Sequence, residues 1–194
     1  MKFTTWNVNS INARIDHLIK FIKTDQSDVY LLQELKCIEE KFPKQEIEKL
    51  GYKSYVNGQK AWNGVAFLSK KPLNILNNNI PTFREDDNAR FLEAEIILEK
   101  LNKKIRLINI YLPNGNPIET SKFDYKIEWM KKFNQHVLNY LKQNIPIIIG
   151  GDFNVIPSDD DVYSPENFKN DACAHPLTRE QFRILINAGL TDTV

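Results

Sequence analysis

Ile145-Pro146-Ile147-Ile148-Ile149-Gly150-Gly151-Asp152-Phe153-Asn154-Val155-Ile156-Pro157 is the stretch from which the fold is read. Its β-branched run, bounded by breakers, predicts a strand buried on both faces. Two glycines end the run and let the backbone turn tightly. Asp152 and Asn154 are then the first polar groups beyond the strand. A buried strand that carries a carboxylate and an amide to its C-terminal edge marks a candidate site, because a buried carboxylate needs a partner. The plainer alternative is an ordinary strand-to-loop turn, where Asp and Asn are common.

Upstream, residues 105–111 read as a strand closed by Pro113-Asn114-Gly115. A helix over residues 121–143 follows, with Phe123, Ile127, Met130, Phe133, Val137 and Leu141 as one apolar stripe. With the Ile145 strand this makes a strand–helix–strand unit, and such units are almost always parallel and right-handed. The chain opens with another. Residues 2–8 form a strand, Asn9 or Ser10 caps a helix with Ile11, Ile15, Leu18, Ile19 and Ile22 at the 3.6 period, and residues 28–34 form the next strand. Parallel neighbours share a C-terminal rim, so Asn7 falls beside Glu34 and Tyr111 beside Asp152.

Between the two units, Pro43 opens a short helix through Leu50, stopped by Gly51. Residues 52–56 and 64–69 read as strands, with Asn57-Gly58 as a turn signal. Residues 91–98 alternate, with Leu92, Ala94, Ile96 and Leu98 on one face, and pair with 105–112 across Asn102-Lys103-Lys104. Near the end, Thr178 and Gln181 form a capping box for a helix through Ala188, and 190–194 begin a strand.

At 194 residues the chain has the length of one domain, and 42% hydrophobic with 26% charged residues is ordinary globular composition. A formal charge of +1 gives no support to a strongly basic nucleic-acid binder, so an anionic partner would be held by a local patch. Cys37 and Cys173 have neither zinc-site nor disulfide-framework spacing and read as reduced thiols of a cytoplasmic protein. The chain does not open on a signal-peptide pattern, and no apolar run approaches membrane-spanning length, so no membrane partner is expected.

In open α/β sheets ligands bind beyond the carboxyl ends of strands. If both rims face one cleft, it holds Glu34, Asp152, the amides of Asn7 and Asn154, and the phenol of Tyr111. Hard oxygen donors of this kind suit Mg²⁺ or Mn²⁺ rather than zinc, with the metal shared with a substrate phosphate. That points to metal-assisted phosphoester hydrolysis. The alternative is that Glu34 forms a structural ion pair with Lys36 or Arg14. The double glycine is no phosphate-cradling loop, since an acid and an aromatic follow it where Gly-Lys-Ser/Thr would be needed. His17, His136 and His175 have no neighbouring carboxylate to mark an oriented base.

Thr5-Trp6-Asn7-Val8-Asn9, Leu32-Gln33-Glu34-Leu35-Lys36, Gly64-Val65-Ala66-Phe67-Leu68-Ser69-Lys70, Ala89-Arg90, Asn109-Ile110-Tyr111-Leu112-Pro113-Asn114-Gly115 and Gly151-Asp152-Phe153-Asn154 occur in this order. The series resembles the exodeoxyribonuclease III and AP endonuclease family of the endonuclease/exonuclease/phosphatase superfamily. The resemblance implies a four-layered α/β sandwich of two mixed β-sheets flanked by helices. It also implies incision 5′ to abasic sites and 3′→5′ exonuclease action on double-stranded DNA. By the same resemblance Glu34 is the principal Mg²⁺ ligand, with Asn7 beside it. Asp152 handles the attacking water and completes the metal group, Asn154 positions the water, and Tyr111 meets the scissile phosphate. Asn114 and Arg90 contact DNA, with Lys36 as a basic neighbour.

The family's later Arg-Ile-Asp-type strand and terminal Ser-Asp-His have no match here, and no histidine of this chain sits in a matching motif. The resemblance therefore implies that residues 1–194 are the N-terminal part of such a domain, truncated before the terminal strands. It is expected to be inactive alone and a monomer if complete. A catalytically dead DNA-binding remnant, or a phosphodiesterase acting on another phosphoester, are the alternatives.

Overall fold

In the computed structural model, which describes residues 1–98 and 103–193, strands form on the β-branched and aromatic runs. The chain divides into two compact units. The first comprises Met1–Asn79, Arg84–Tyr111 and Pro146–Asp152. Its elements begin with β1 (Phe3–Asn7), α1 (Ile11–Asp25), β2 (Val29–Gln33), α2 (Lys44–Glu48), β3 (Lys53–Asn57) and β4 (Val65–Ser69). These strands make a sheet of order β1-β2-β4-β3, in which β1 and β2 are parallel and β4 runs antiparallel to both neighbours. The strands β5 (Asn74–Asn77), β6 (Phe91–Leu98), β7 (Lys103–Tyr111) and β8 (Ile147–Asp152) make a second sheet, order β5-β6-β7-β8, with only β7 and β8 parallel. Both sheets are thus mixed, and the class is α/β as the sequence predicts.

Alternation along β2 explains how the layers of this unit stack. Val29 and Leu31, with Val65 and Phe67, pack against Leu92, Ala94, Ile96 and Leu107 of the second sheet. Tyr30 and Leu32, with Ala66 and Leu68, point the other way and receive Ile11, Leu18 and Ile22 of α1. A strand covered on both faces has no room for polar alternation, which is why β2 is buried throughout.

The second unit comprises Ile80–Phe83, Leu112–Ile145 and Phe153–Val194. Its helices are α3 (Ser121–Lys142) and α4 (Pro176–Asn187). The apolar stripe of α3 is buried at Phe123, Ile127, Met130, Phe133 and Val137, while Leu141 near its end is half-buried. Asn134 of α3 donates to the carbonyl oxygen of Gln181 at 2.9 Å and to its side-chain oxygen at 3.2 Å, so the two helices meet through a buried polar pair.

The structure corrects several sequence expectations. β8 is half-buried along its length instead of buried on both faces, because it stands at one end of the sheet order. Its glycines lie inside the strand rather than after it. A Cβ on Gly150 would come within 2.9 Å of Leu31 Cδ2, and one on Gly151 within 2.1 Å of the Ile110 carbonyl oxygen. They are there for close backbone approach, and Gly151→Ala is expected to cost about 3 kcal/mol in a urea unfolding curve, the upper range of overpacking effects. An unchanged midpoint would contradict that account.

The Thr178–Gln181 capping box does not form. The helix starts earlier, at Pro176, with His175 Nδ1 accepting from the Leu177 N–H. The hydroxyl of Thr178 instead donates to the Ala172 carbonyl at 2.7 Å. Pro43 sits at the N-cap of α2 and not in its first turn. Asn57-Gly58 is no tight hairpin turn: β3 ends at Asn57, which donates to the carbonyls of Asn78 and Phe91, and β4 begins only at Val65. The edge strand β5, too short and polar for its period to show, was not predicted. Lys103 and Lys104 belong to β7, and Asn102 lies outside the described residues. Residues 190–193 form no strand, and Val194 lies outside the described residues.

Candidate functional site

The rim of the first unit is built where three strands run out. β1 ends on Asn7 and β8 on Asp152, and Glu34 is the residue after β2. The chain then kinks. Asn9, Ser10, Glu34 and Lys36 have φ values of +45°, +83°, +54° and +54°, a left-handed region costly for non-glycine residues. Backbone bonds over-determine the kink: Ser10 N–H to Glu34 O at 2.7 Å, Ile11 N–H to Leu35 O at 3.1 Å, Leu35 N–H to Gly64 O at 3.1 Å and Lys36 N–H to Asn63 O at 3.0 Å. Strain held this firmly aims a side chain, and here the side chain is Glu34.

Asn7 ties the rim together. Its Nδ2 donates to Glu34 Oε1 at 2.7 Å and to Asp152 Oδ2 at 2.9 Å, joining carboxylates carried by the two facing sheets. The amide orientation is set by the Asn9 N–H, which donates to Asn7 Oδ1 at 3.0 Å. Lys36 Nζ lies 2.9 Å from Glu34 Oε2 and donates to Asn9 Oδ1 at 2.5 Å. Tyr111, opposite Asp152 in the parallel register, gives its hydroxyl to Glu34. Arg90 stacks over the Tyr111 ring at 4.9 Å and donates from Nη1 to the Tyr111 carbonyl at 3.2 Å. Asn7, Glu34, Tyr111 and Asp152 are therefore gathered on one rim, the placement the shared-rim reading gives, and Lys36 and Arg90, which the family resemblance alone brought in, lie beside them. Asp152 ends β8 and accepts the Asn7 bond, and the Glu34–Lys36 ion pair given as the alternative to a metal role for Glu34 is present.

These contacts set the charge states. Burial pushes the Glu34 carboxyl up, but hydrogen bonds from Asn7, Lys36 and Tyr111 outweigh it and leave the pKa below the usual glutamate value. Burial and the Glu34 charge drive the Tyr111 phenol well above its usual value, against the pull of Arg90, so at neutral pH it is a neutral donor. A depressed carboxylate contributes stability above its unfolded pKa and loses it as pH falls through the folded one. The stability difference between the wild type and Glu34→Gln is accordingly expected to shrink as pH drops below the ordinary value of 4.5. Urea unfolding of both proteins across that range checks this, and a constant difference would contradict it.

The second unit holds the other predicted residues. Asn154, with φ +46°, donates to the Leu112 carbonyl at 2.8 Å and accepts from Asn114 Nδ2 at 3.2 Å. Lys126, completely buried, donates to the carbonyls of Pro113, Asn114 and Asn154 at 3.1, 3.0 and 2.6 Å. Sequence reasoning missed Lys126, although a lysine beside Phe123 and Ile127 on the apolar stripe was the available signal. It also missed Cys173, whose Sγ lies 3.7 Å from Asn114 Nδ2 and 3.9 Å from Asn154 Oδ1.

Among the described residues no group of three or more His, Cys, Asp or Glu side chains could hold a metal ion. What the rim offers is a pair of carboxylates beside an amide, with Glu34 kept ionised. That donor set fits a hard, partly hydrated divalent cation that completes its shell with water and substrate oxygens.

The pattern of the Endonuclease/Exonuclease/phosphatase family matches residues 4–193. The chain belongs to that family. Within it, the likeness is to exodeoxyribonuclease III and AP endonucleases. The chain is 34% identical to exodeoxyribonuclease III of Haemophilus influenzae, covering all of this chain and 74% of that protein. It superposes with a TM-score of 0.90 on an AP endonuclease from Archaeoglobus fulgidus, at 30% identity over 99% of this chain and 72% of the other. A 3′ phosphatase from Neisseria bound to a product DNA hairpin matches at TM-score 0.90 and 32% identity, over 99% of this chain and 72% of that one.

Proposed function

We propose that this chain carries the Mg²⁺- or Mn²⁺-binding and phosphate-binding part of a site that hydrolyses phosphodiesters of double-stranded DNA, incising 5′ to abasic sites and removing 3′ nucleotides, and that residues 1–194 alone are inactive. The observation that carries the reading is the Asn7 amide, which draws Glu34 and Asp152 from separate sheets onto one nitrogen. Residues 1–194 are read as one domain of endonuclease/exonuclease/phosphatase type. A cytoplasmic setting is assigned to it, and a monomeric state to the complete enzyme. Both cysteines are thiols, and among the described residues no helix is long and apolar enough to cross a membrane.

In this reading Glu34 and Asp152 hold the cation, with Asn7 orienting both. When bound there, the cation supplies charge stabilisation to the phosphoryl oxygens. Asp152 takes the proton of the attacking water at its carboxylate, and Asn154 is assigned the amide that orients that water. As the new P–O bond forms, the P–O3′ bond breaks and the leaving 3′ oxygen takes its proton from solvent. Tyr111, kept neutral and hydrogen-bonded to Glu34 in the free protein, is assigned the phenol that contacts the scissile phosphate. Lys36, Arg90 and Asn114 are assigned phosphate-backbone contacts, which position DNA without reading its sequence.

Titration calorimetry with Mn²⁺ tests the metal assignment. Glu34→Gln is expected to weaken binding at least about 10-fold, the scale on which metal sites respond to loss of a polar partner. Equal affinity in the two proteins would remove Glu34 from the cation site.

A further inference from the structure

Beneath the carboxylate rim, two side-chain amides bridge the facing sheets of the first unit. Gln33, the last residue of β2, and Asn109 of β7 are 1% and 0% exposed. Gln33 Nε2 donates to Asn109 Oδ1 at 2.7 Å, and also reaches the Leu31 carbonyl at 2.9 Å and Thr5 Oγ1 at 3.1 Å. Asn109 Nδ2 donates to the carbonyls of Leu32 at 3.0 Å and Ala66 at 2.9 Å. The pair therefore links β1, β2 and β4 of one sheet to β7 of the other.

Its place in the register is what gives it meaning. Gln33 precedes Glu34 and stands opposite Asn7, while Asn109 lies two residues before Tyr111 and opposite Gly150. At that same level Gly150, lacking a Cβ, allows Leu31 to approach. Apolar residues of equal volume would fill this space, but dispersion contacts are soft in distance and direction. Hydrogen bonds of 2.7–3.0 Å fix both. Immediately above them, the Asn7 amide must reach a carboxylate on each sheet.

We propose that Gln33 and Asn109 are positioning residues, a hydrogen-bonded spacer that sets the separation of Glu34 on one sheet from Tyr111 and Asp152 on the other. The consequence for cation binding rests on the function proposed above.

The test replaces both amides by apolar residues of similar shape, Gln33→Met with Asn109→Leu, an exchange that is close to neutral for stability when both partners go together. Three measurements are made on the wild type and the variant: thermal unfolding, the side-chain ¹⁵N–¹H resonances of Asn7, and Mn²⁺ affinity. The expected result is a melting temperature within a few degrees of the wild type, Asn7 amide protons that move upfield and exchange faster, and Mn²⁺ affinity lowered about 10-fold. Unchanged Asn7 resonances in the folded variant would overturn the proposal and leave the amides as packing. A wild type that binds no Mn²⁺ would overturn the metal reading, while the Asn7 resonances still decide the spacing. Gln33→Met alone keeps both Asn109 donor bonds and is read in the same way if the double variant unfolds.

Discussion

In the chain joined to the Ser-Asp-His segment of a homologue, Asp152→Asn is expected to slow cleavage of abasic duplex DNA by about 10²–10⁴-fold, the usual contribution of a positioned proton-transfer group. The exchange is nearly isosteric. An asparagine oxygen can still accept the 2.9 Å bond from Asn7 Nδ2, so the rim keeps its geometry. What disappears is a carboxylate able to take a proton from water and one negative charge beside the cation site. DNA affinity is expected to change far less than turnover, because phosphate contacts are assigned to other side chains. Single-turnover cleavage beside equilibrium binding separates the two effects. A variant with near-wild-type turnover would make Asp152 a structural residue.

Lys126→Met is expected to be the most destabilising single change, by about 3 kcal/mol or more. Methionine keeps the length of the stem but leaves the carbonyls of Pro113, Asn114 and Asn154 without the donor that now joins them. Each buried acceptor left without a partner costs about 1–3 kcal/mol. Urea unfolding measures the loss. A shift within about 0.5 kcal/mol, the range of ordinary surface substitutions, would show that water replaces the ammonium without penalty.

Much of the fold was legible because its elements obey their periods. The two parallel strand pairs followed from strand–helix–strand order, and that alone placed Asn7 beside Glu34 and Tyr111 opposite Asp152. Periodicity says nothing of what lies across a sheet. The Asn7–Asp152 bond and the Gln33–Asn109 bridge join residues 145 and 76 positions apart, and no local pattern announces them. β8 was misjudged for a related reason. A β-branched run signals a strand, but whether neighbours cover it depends on its place in the sheet order. The capping box at Thr178 failed because a tertiary acceptor, the Ala172 carbonyl, claims its hydroxyl.

The most direct measurement of the central claim is incision of a duplex oligonucleotide with one abasic site, run with Mg²⁺ and again with EDTA. The account predicts a single cut 5′ to the abasic position with Mg²⁺ when the chain is joined to the Ser-Asp-His segment of a homologue, abolished by EDTA and by Glu34→Gln, and no detectable cut by residues 1–194 alone. Cutting that survives EDTA, or incision by residues 1–194 alone, would contradict it.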